Sequence, residues 1–222
     1  MCDIDLLMQW PLLAGLAQDV RTDVLKEARR QRFRPREVLF REGDPSEGMH
    51  MIDQGWVALR LTTPRGDIAT VAVIGPGEVL GEQSLLEEAG RRTASAVAIK
   101  AVETLYLSRE AFTGLRRQDP SVDRVLNHAL SERLQRVTAR LVEALYQPAP
   151  RRVVCRMAEL ADCFGPGSPI PLTQEDIATL AGTTRQTVNR VCTEAENKRL
   201  IQMSRGHFTV LDANGLARMV GI

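Results

Sequence analysis

The sequence predicts an α+β fold: an N-terminal β-roll of jelly-roll type, a long central helix and a C-terminal winged helix-turn-helix. Three observations predict it. Short β-like runs separated by glycines fill the stretch from Phe33 to Leu107. Apolar residues then step by three and four from Ser121 to Tyr146, the spacing of one helix face. Beyond Gln174, two short amphipathic segments meet at Gly182 and are followed by two alternating strands. The corresponding domain boundaries are residues 1–119, 120–147 and 148–222.

Composition bounds the reading. A chain of 222 residues can hold two separate cores, and 44% hydrophobic with 26% charged residues is ordinary for a globular protein. A net charge of +1 excludes a general polyanion sponge. The chain opens Met1-Cys2-Asp3-Ile4-Asp5 without a basic-then-apolar leader. No uncharged apolar run approaches the ~20 residues of a membrane span, so a cytoplasmic location away from the membrane is expected. Cys2, Cys155, Cys163 and Cys192 lack C-x-x-C spacing, and His50, His128 and His207 are scattered. No metal site and no covalent cofactor is therefore expected. Cys192 reads as a buried small residue, with redox sensitivity as the alternative.

Residues 6 to 31 carry Leu-rich helical pieces, including Leu12, Leu13, Leu16, Val20, Val24 and Leu25. Strands are expected at 38–40, 49–52, 56–61, 68–74, 95–99 and 102–107, with Gly43, Gly48, Gly55, Gly66, Gly75, Gly77 and Gly90 at the turns. The Ser121–Tyr146 helix would be about 39 Å long. Asn127, Leu130, Leu134, Val137, Leu141 and Ala144 form a heptad seam along it, with Asn127 as a polar register device. Such a helix packs either on its own domain or against a second copy; dimerisation is the preferred reading. Pro148-Ala149-Pro150 ends it, since neither proline can continue it. A helix over 151–164 and the loop Gly165-Pro166-Gly167-Ser168-Pro169 follow.

In Gln174–Thr193, Ala178 is small where the helices touch and Gly182 supplies the turn. Thr184, Val188, Val191 and Ala195 fall at helical spacing toward the core, leaving Arg185, Gln186, Asn189 and Arg190 on the opposite face. Those four can hydrogen-bond base edges, unlike a solvated Glu/Lys face. Thr183 or Thr184 can cap the second helix; under a Thr183 cap, Gln186 would close a capping box instead of touching a base. The runs 198–203 and 208–211 alternate as strands around the Ser204-Arg205-Gly206-His207 turn, placing Arg205 at a wing tip near phosphates. From Thr183 to His207 five cations face two carboxylates, a locally basic surface on a near-neutral chain. DNA binding follows, with Thr184, at the start of the second helix, counted among the DNA-binding residues beside the four readers and Arg205.

The run Gly77–Ala94 holds a second signal. Gly81 lets backbone amides approach a ligand, and 83–88 reads as a helical turn whose N-terminus favours an anion. Arg92 can grip a phosphate with two parallel bonds, Thr93 adds a hydroxyl, and Glu82 suits a sugar hydroxyl. The plain alternative is a surface loop in which Glu82 and Arg92 pair.

With these residues in place, the whole chain resembles the cyclic-AMP receptor and fumarate–nitrate regulator family of bacterial transcription factors. Leu39-Phe40-Arg41-Glu42-Gly43-Asp44 and Gly55-Trp56-Val57-Ala58-Leu59 are similar to its β-roll, and Gly81-Glu82 with Arg92-Thr93 to its phosphate-binding cassette. The resemblance implies a cyclic-nucleotide-binding N-terminal domain. Gly81 would give its amide, Glu82 the ribose contact, and Arg92 and Thr93 the phosphate contacts. Leu59, Val71, Leu80 and Ala94 would line the apolar part, and Thr138 of the central helix would approach the base. Arg185, Gln186 and Arg190 match base-reading positions. Three positions depart from the pattern: Val137 where a polar adenine contact is common, Gln83 for an apolar cassette residue, and Gln186 where many members have glutamate.

The expected protein is a homodimeric transcription regulator, not an enzyme, because no nucleophile–base pair or ligand cluster asks for catalysis. A small anionic effector would gate it, cyclic AMP favoured and cyclic GMP possible, with the DNA domains swinging about Pro148 to Pro150. Leu130, Leu134, Val137 and Leu141 form the dimer seam. The partner is a palindromic duplex, and RNA polymerase as well if the protein activates. Two rivals stand beside this reading: the same regulator without nucleotide dependence, and a cyclic-nucleotide-binding regulatory subunit that docks a protein.

Overall fold

The computed structural model describes residues 15–85 and 90–221. Leu12, Leu13 and Cys2, and the later part of the turn expected over 83–88, lie outside the described residues. The chain forms two compact units: residues 1–62 with 72–136, and residues 63–71 with 137–222.

Among the described residues, the first unit holds helix α1 (Gln18–Glu27) and two four-stranded sheets. One sheet has the order β1 (Arg29–Phe33), β8 (Val102–Ser108), β3 (Gly48–Gln54), β6 (Val79–Leu80). The other runs β2 (Val38–Phe40), β7 (Ser95–Ala98), β4 (Val57–Thr62), β5 (Ile68–Ile74). The pairings β1–β8, β3–β8, β4–β7 and β2–β7 are antiparallel, so strands distant in sequence lie side by side, as a roll requires. Met51, Ile52, Val57, Leu59, Leu80, Ala96 and Leu107 are buried between these strands.

β1 corrects the expectation that residues up to 31 are helical. Its residues Arg-Arg-Gln-Arg-Phe show no apolar alternation, and the strand is held by its register with β8, from Arg29 opposite Tyr106 to Phe33 opposite Val102. Helix α2 (Arg109–Gln118) then starts on Ser108, whose hydroxyl accepts from Ala111 N at 3.1 Å. Phe112 and Leu115 of α2 join Leu16, Val24, Val122 and Leu126 in one buried apolar cluster.

Helix α3 (Ser121–Tyr146) takes the full expected span and runs from one unit into the other. Only its start is buried, at Ser121, Val122 and Leu126, and Leu130 packs partly against the first unit's core. Farther along, Leu134 is 67% exposed, Val137 57% and Leu141 58%; Val142, Leu145 and Tyr146 are exposed as well.

In the second unit, helix α4 (Ala149–Phe164) begins two residues earlier than expected, on Pro148. Pro150 sits in its first turn, where the missing N–H costs nothing, so it starts the new helix instead of extending the break. Helices α5 (Gln174–Leu180) and α6 (Arg185–Asn197) follow, then the hairpin β9 (Ile201–Ser204) and β10 (His207–Val210), and α7 (Ala213–Arg218). Ile170 bridges Phe208 to extend the hairpin. Residues 63–71, the β4–β5 turn with the first half of β5, group with this unit although β5 continues into the sheet of the first unit: Thr70 Oγ1 donates to Asp176 Oδ1 at 2.8 Å, and Arg140 Nη1 to Val71 O at 2.9 Å. Among the described residues no helix is long and apolar enough to cross a membrane, and no His/Cys/Asp/Glu group could hold a metal ion.

Candidate functional site

The first site is a cleft in the first unit. Gly81, Glu82, Arg92, Thr93 and Gln83 line its polar side; Leu59, Leu80, Ala94 and Phe40 line its apolar side, with Arg133 of α3 completing it. Val71 and Thr138 are not among its lining residues, and Thr138 is exposed. The structure thus brings together seven of the nine expected effector residues.

Glu82 is 2% exposed and Arg92 6% exposed, yet they do not pair with each other. Glu82 Oε1 accepts from Arg133 Nη1 at 2.6 Å, while Glu82 Oε2 is buried with no donor among the described residues. Arg92 donates through Nη2 to Gly48 O at 2.6 Å and through Nη1 to Gly81 O at 3.3 Å, while its Nε is buried with no acceptor among the described residues. An acceptor lacking a donor and a donor lacking an acceptor therefore share one cleft, at a cost that a ligand hydroxyl and anion would relieve. Gly81 is required here: its φ is +83°, and a Cβ would fall 1.8 Å from Arg92 Nη1. The plain alternative of a Glu82–Arg92 surface pair is corrected by the burial of both and by Arg133.

Burial pushes the Arg92 guanidinium below its ordinary pKa. Beside it, His50 is 4% exposed and held neutral down to about 4, by burial first and by the charge of Arg92 second. Thr93 is exposed and only weakly engaged, donating to Gln83 Oε1 at 3.4 Å. Within the described residues, Gln83–Leu85 is a 3₁₀ turn at the start of the span expected to be helical.

The second site is the α5–turn–α6 head. Thr173 and Asp176 form a full capping box at the start of α5. Gly182 has φ +58°, the left-handed turn expected of it. Thr184 is the cap of α6, its hydroxyl accepting from Thr187 N at 3.3 Å. That settles two expectations. Thr184 is exposed at the helix start and does not face the core, because its side chain is used for capping. With Thr187, not Gln186, three residues after the cap, Gln186 has no capping role.

Val188, Val191 and Ala195 are buried as expected, as is Cys192, whose thiol burial pushes up to about 11. Such a thiol stays protonated and unreactive. Arg185, Gln186 and Arg190 are exposed and make no hydrogen bond or ion pair among the described residues; Asn189 reaches Gln174 Oε1 at 3.4 Å. Arg205 and Gly206, with Gly206 at φ +79°, turn β9 into β10 and expose Arg205.

The head is tied to the end of α3. Arg152 of α4 donates to Gln147 O at 2.7 Å and Ala144 O at 3.5 Å behind it, and to Ala181 O at 2.9 Å and Gly182 O at 2.8 Å ahead. One turn on, buried Arg156 pairs with Glu143 at 2.5 Å and Glu159 at 2.9 Å. The Pro148–Pro150 joint is thus bridged by side chains.

A model of the cyclic nucleotide-binding domain matches residues 30–119, and one of the Crp-like helix-turn-helix domain matches residues 135–219. The cyclic AMP receptor protein of Thermus thermophilus is 33% identical over 203 residues, covering 91% of this chain and 93% of that protein. The chain belongs to the Crp–Fnr family of transcription regulators. It is therefore a DNA-binding regulator and not an enzyme. The CRP-like cAMP-activated global transcriptional regulator of Mycobacterium tuberculosis is 28% identical over 215 residues, covering 92% and 96% of the two chains. The crystal structure of the Thermus thermophilus catabolite activator protein matches with TM-score 0.55 at 32% identity, over 95% and 100% of the chains. The global regulator CLP of Xanthomonas campestris shares the fold, with TM-score 0.73 at 20% identity over 87% and 99%.

Within this Crp–Fnr chain, sequence reading missed two cleft residues, Phe40 and Arg133. Each is far from the Gly81–Ala94 run in sequence. Phe40 stood inside the β-roll segment Leu39–Asp44, and Arg133 next to the seam residue Leu134. A cation beside an otherwise apolar seam was the available signal.

Proposed function

We propose that this regulator is a homodimer whose affinity for a specific palindromic duplex is set by a cyclic nucleotide, cyclic AMP ahead of cyclic GMP. The observation that carries this reading is the pair of unsatisfied buried atoms in one cleft, Glu82 Oε2 and Arg92 Nε. A cyclic nucleotide offers a ribose hydroxyl and a phosphate side by side, matching the acceptor and the donor. Arg92 and Thr93 hold the phosphate, Glu82 the hydroxyl, and the Gly81 amide approaches closely. Leu59, Leu80 and Ala94 meet the apolar faces, with Val71, and Thr138 of the partner subunit, added on the base side.

The dimer forms along Leu130, Leu134, Val137 and Leu141, since these side chains of α3 include three that are more than half exposed. Arg133, which touches Glu82, is the neighbour of Leu134, so a ligand that displaces Arg133 acts on the seam through one helix. The two α6 helices then enter successive major grooves, about 34 Å apart. Arg185, Gln186, Asn189 and Arg190 read bases, while the Thr184 cap and Arg205 lie toward phosphates. The protein works in the cytoplasm, and RNA polymerase is a further partner if it activates.

A palindrome selected from a random pool tests this. Its affinity, followed by fluorescence anisotropy, should rise about tenfold or more with one cyclic nucleotide. Equal affinity with and without both nucleotides would sink the effector assignment but not the DNA reading. The second reading, a regulator independent of nucleotides, is favoured by one observation: the Arg133–Glu82 bridge already occupies one carboxylate oxygen.

A further inference from the structure

Arg92 is a buried cation without a carboxylate partner among the described residues. Two main-chain carbonyls hold the Nη ends. A third contact is aromatic: Arg92 Cζ lies 4.2 Å from the centroid of the Phe40 ring. A cation over an aromatic face at this distance, away from water, is in an attractive arrangement.

The ring has aromatic neighbours. His50 stands 5.9 Å from Phe40, tilted by 31°, and Tyr106 5.0 Å from His50 at 55°. His50 Nδ1 lies 3.2 Å from Thr104 Oγ1, inside the sheet. Gly48 makes room for this stack: a Cβ there would fall 2.6 Å from the Tyr106 ring, and the same residue's carbonyl receives Arg92.

We propose that Phe40 is a positioning residue of the effector cleft, its ring acting as the platform that holds the Arg92 guanidinium in place for an anion. A leucine at 40 would fill similar space but offer no π face, leaving Arg92 pinned only at its Nη ends. The competent orientation would then be diluted, and binding weakened by that dilution. The affinity arm of the test rests on the cyclic-nucleotide reading; the spectroscopic arm does not.

The experiment uses the full chain with ¹⁵N-labelled arginine. In the wild type the Arg92 Nε–H resonance, assigned by its loss in Arg92→Lys, should be shifted upfield by the Phe40 ring current. Phe40→Leu should abolish that shift and Phe40→Tyr keep it. By calorimetry with cyclic AMP and cyclic GMP, Phe40→Leu should bind about fivefold to tenfold more weakly, with Phe40→Tyr restoring most of the loss. An unshifted Arg92 resonance in the wild type overturns the platform, even if Phe40→Leu fails to fold. Equal nucleotide affinity in wild type and Phe40→Leu overturns it as well. If the wild type binds neither nucleotide, the proposed effector falls, and the resonance alone judges the platform.

Discussion

Arg133 Nη1 of α3 lies 2.6 Å from Glu82 Oε1, across 51 residues of sequence, and Glu82 is almost wholly buried while Arg133 is partly exposed. The long helix is thereby attached to the cleft by a charge pair whose second carboxylate oxygen has no donor among the described residues. Arg133→Met should cost about 2 kcal/mol by urea unfolding, because it leaves Glu82 buried without a counter-charge. Adding Glu82→Gln to Arg133→Met should recover most of it. An Arg133→Met chain as stable as wild type would mean that the bridge holds nothing.

The reading head makes two different predictions for its arginines. Arg190, exposed on the outer face of α6, should on change to alanine lose about 1–3 kcal/mol of discrimination at one base pair per half-site. Arg205, at the hairpin tip, should on change to alanine weaken all sequences alike and lower the salt slope by about one. Binding titrations on selected and scrambled duplexes over a salt series separate the two. An unchanged cognate-to-scrambled ratio for Arg190→Ala would remove it from base readout.

Most of the fold was legible because its signals are local. The period of α3 gave its ends at Ser121 and Tyr146, and the spacing of Val188, Val191 and Ala195 gave the buried face of α6. β1 was not legible: its arginine-rich residues carry no strand pattern, and only its pairing with β8, some seventy residues on, makes it a strand. The cleft divides in the same way. Gly81, Glu82, Arg92 and Thr93 lie in one run, whereas Phe40 and Arg133 enter through tertiary packing. The choice of Thr184 over Thr183 as cap is a matter of one residue, set by where the Gly182 turn ends.

Arg152 spans the joint at Pro148 with bonds to four carbonyls. Arg152→Ala should cost about 2–4 kcal/mol and speed amide exchange around Gly182, since charge-assisted bonds on both sides are lost together. Arg152→Lys should restore little, because an ammonium cannot reach carbonyls on opposite sides as a planar fork does. Unchanged exchange in Arg152→Ala would show that the joint is held by other means.

His50 predicts an acid sensitivity. Its pKa is about 4 in the fold, below its ordinary 6.5, so the unfolded chain binds the proton more readily. Stability contributed by neutral His50 is complete above about pH 6.5 and is lost as pH falls toward 4. By pH 5 the loss should be about 2 kcal/mol. Urea unfolding of wild type and His50→Gln at pH 7.5 and 5 should show that difference only in the wild type. Equal pH dependence of the two would place the sensitivity elsewhere.

Arg199 offers a test in which stability and function move in opposite directions. It follows the C-cap of α6 with φ +57°, a left-handed conformation that costs a side-chain-bearing residue about 1 kcal/mol. The surrounding bonds are those of a helix stop that glycine prefers: Arg199 N donates to Glu196 O at 2.8 Å, and Leu200 N to Ala195 O at 2.9 Å. Arg199→Gly keeps both bonds and should raise stability by about 0.5–1 kcal/mol, read as a higher Tm. The lost cation sits in the basic stretch between Thr183 and His207, so DNA affinity should fall and its salt slope drop by about one. A strained arginine kept where glycine fits better is then accounted for by phosphate contact. A higher Tm with unaltered DNA binding would leave the strain unexplained and take Arg199 out of the interface.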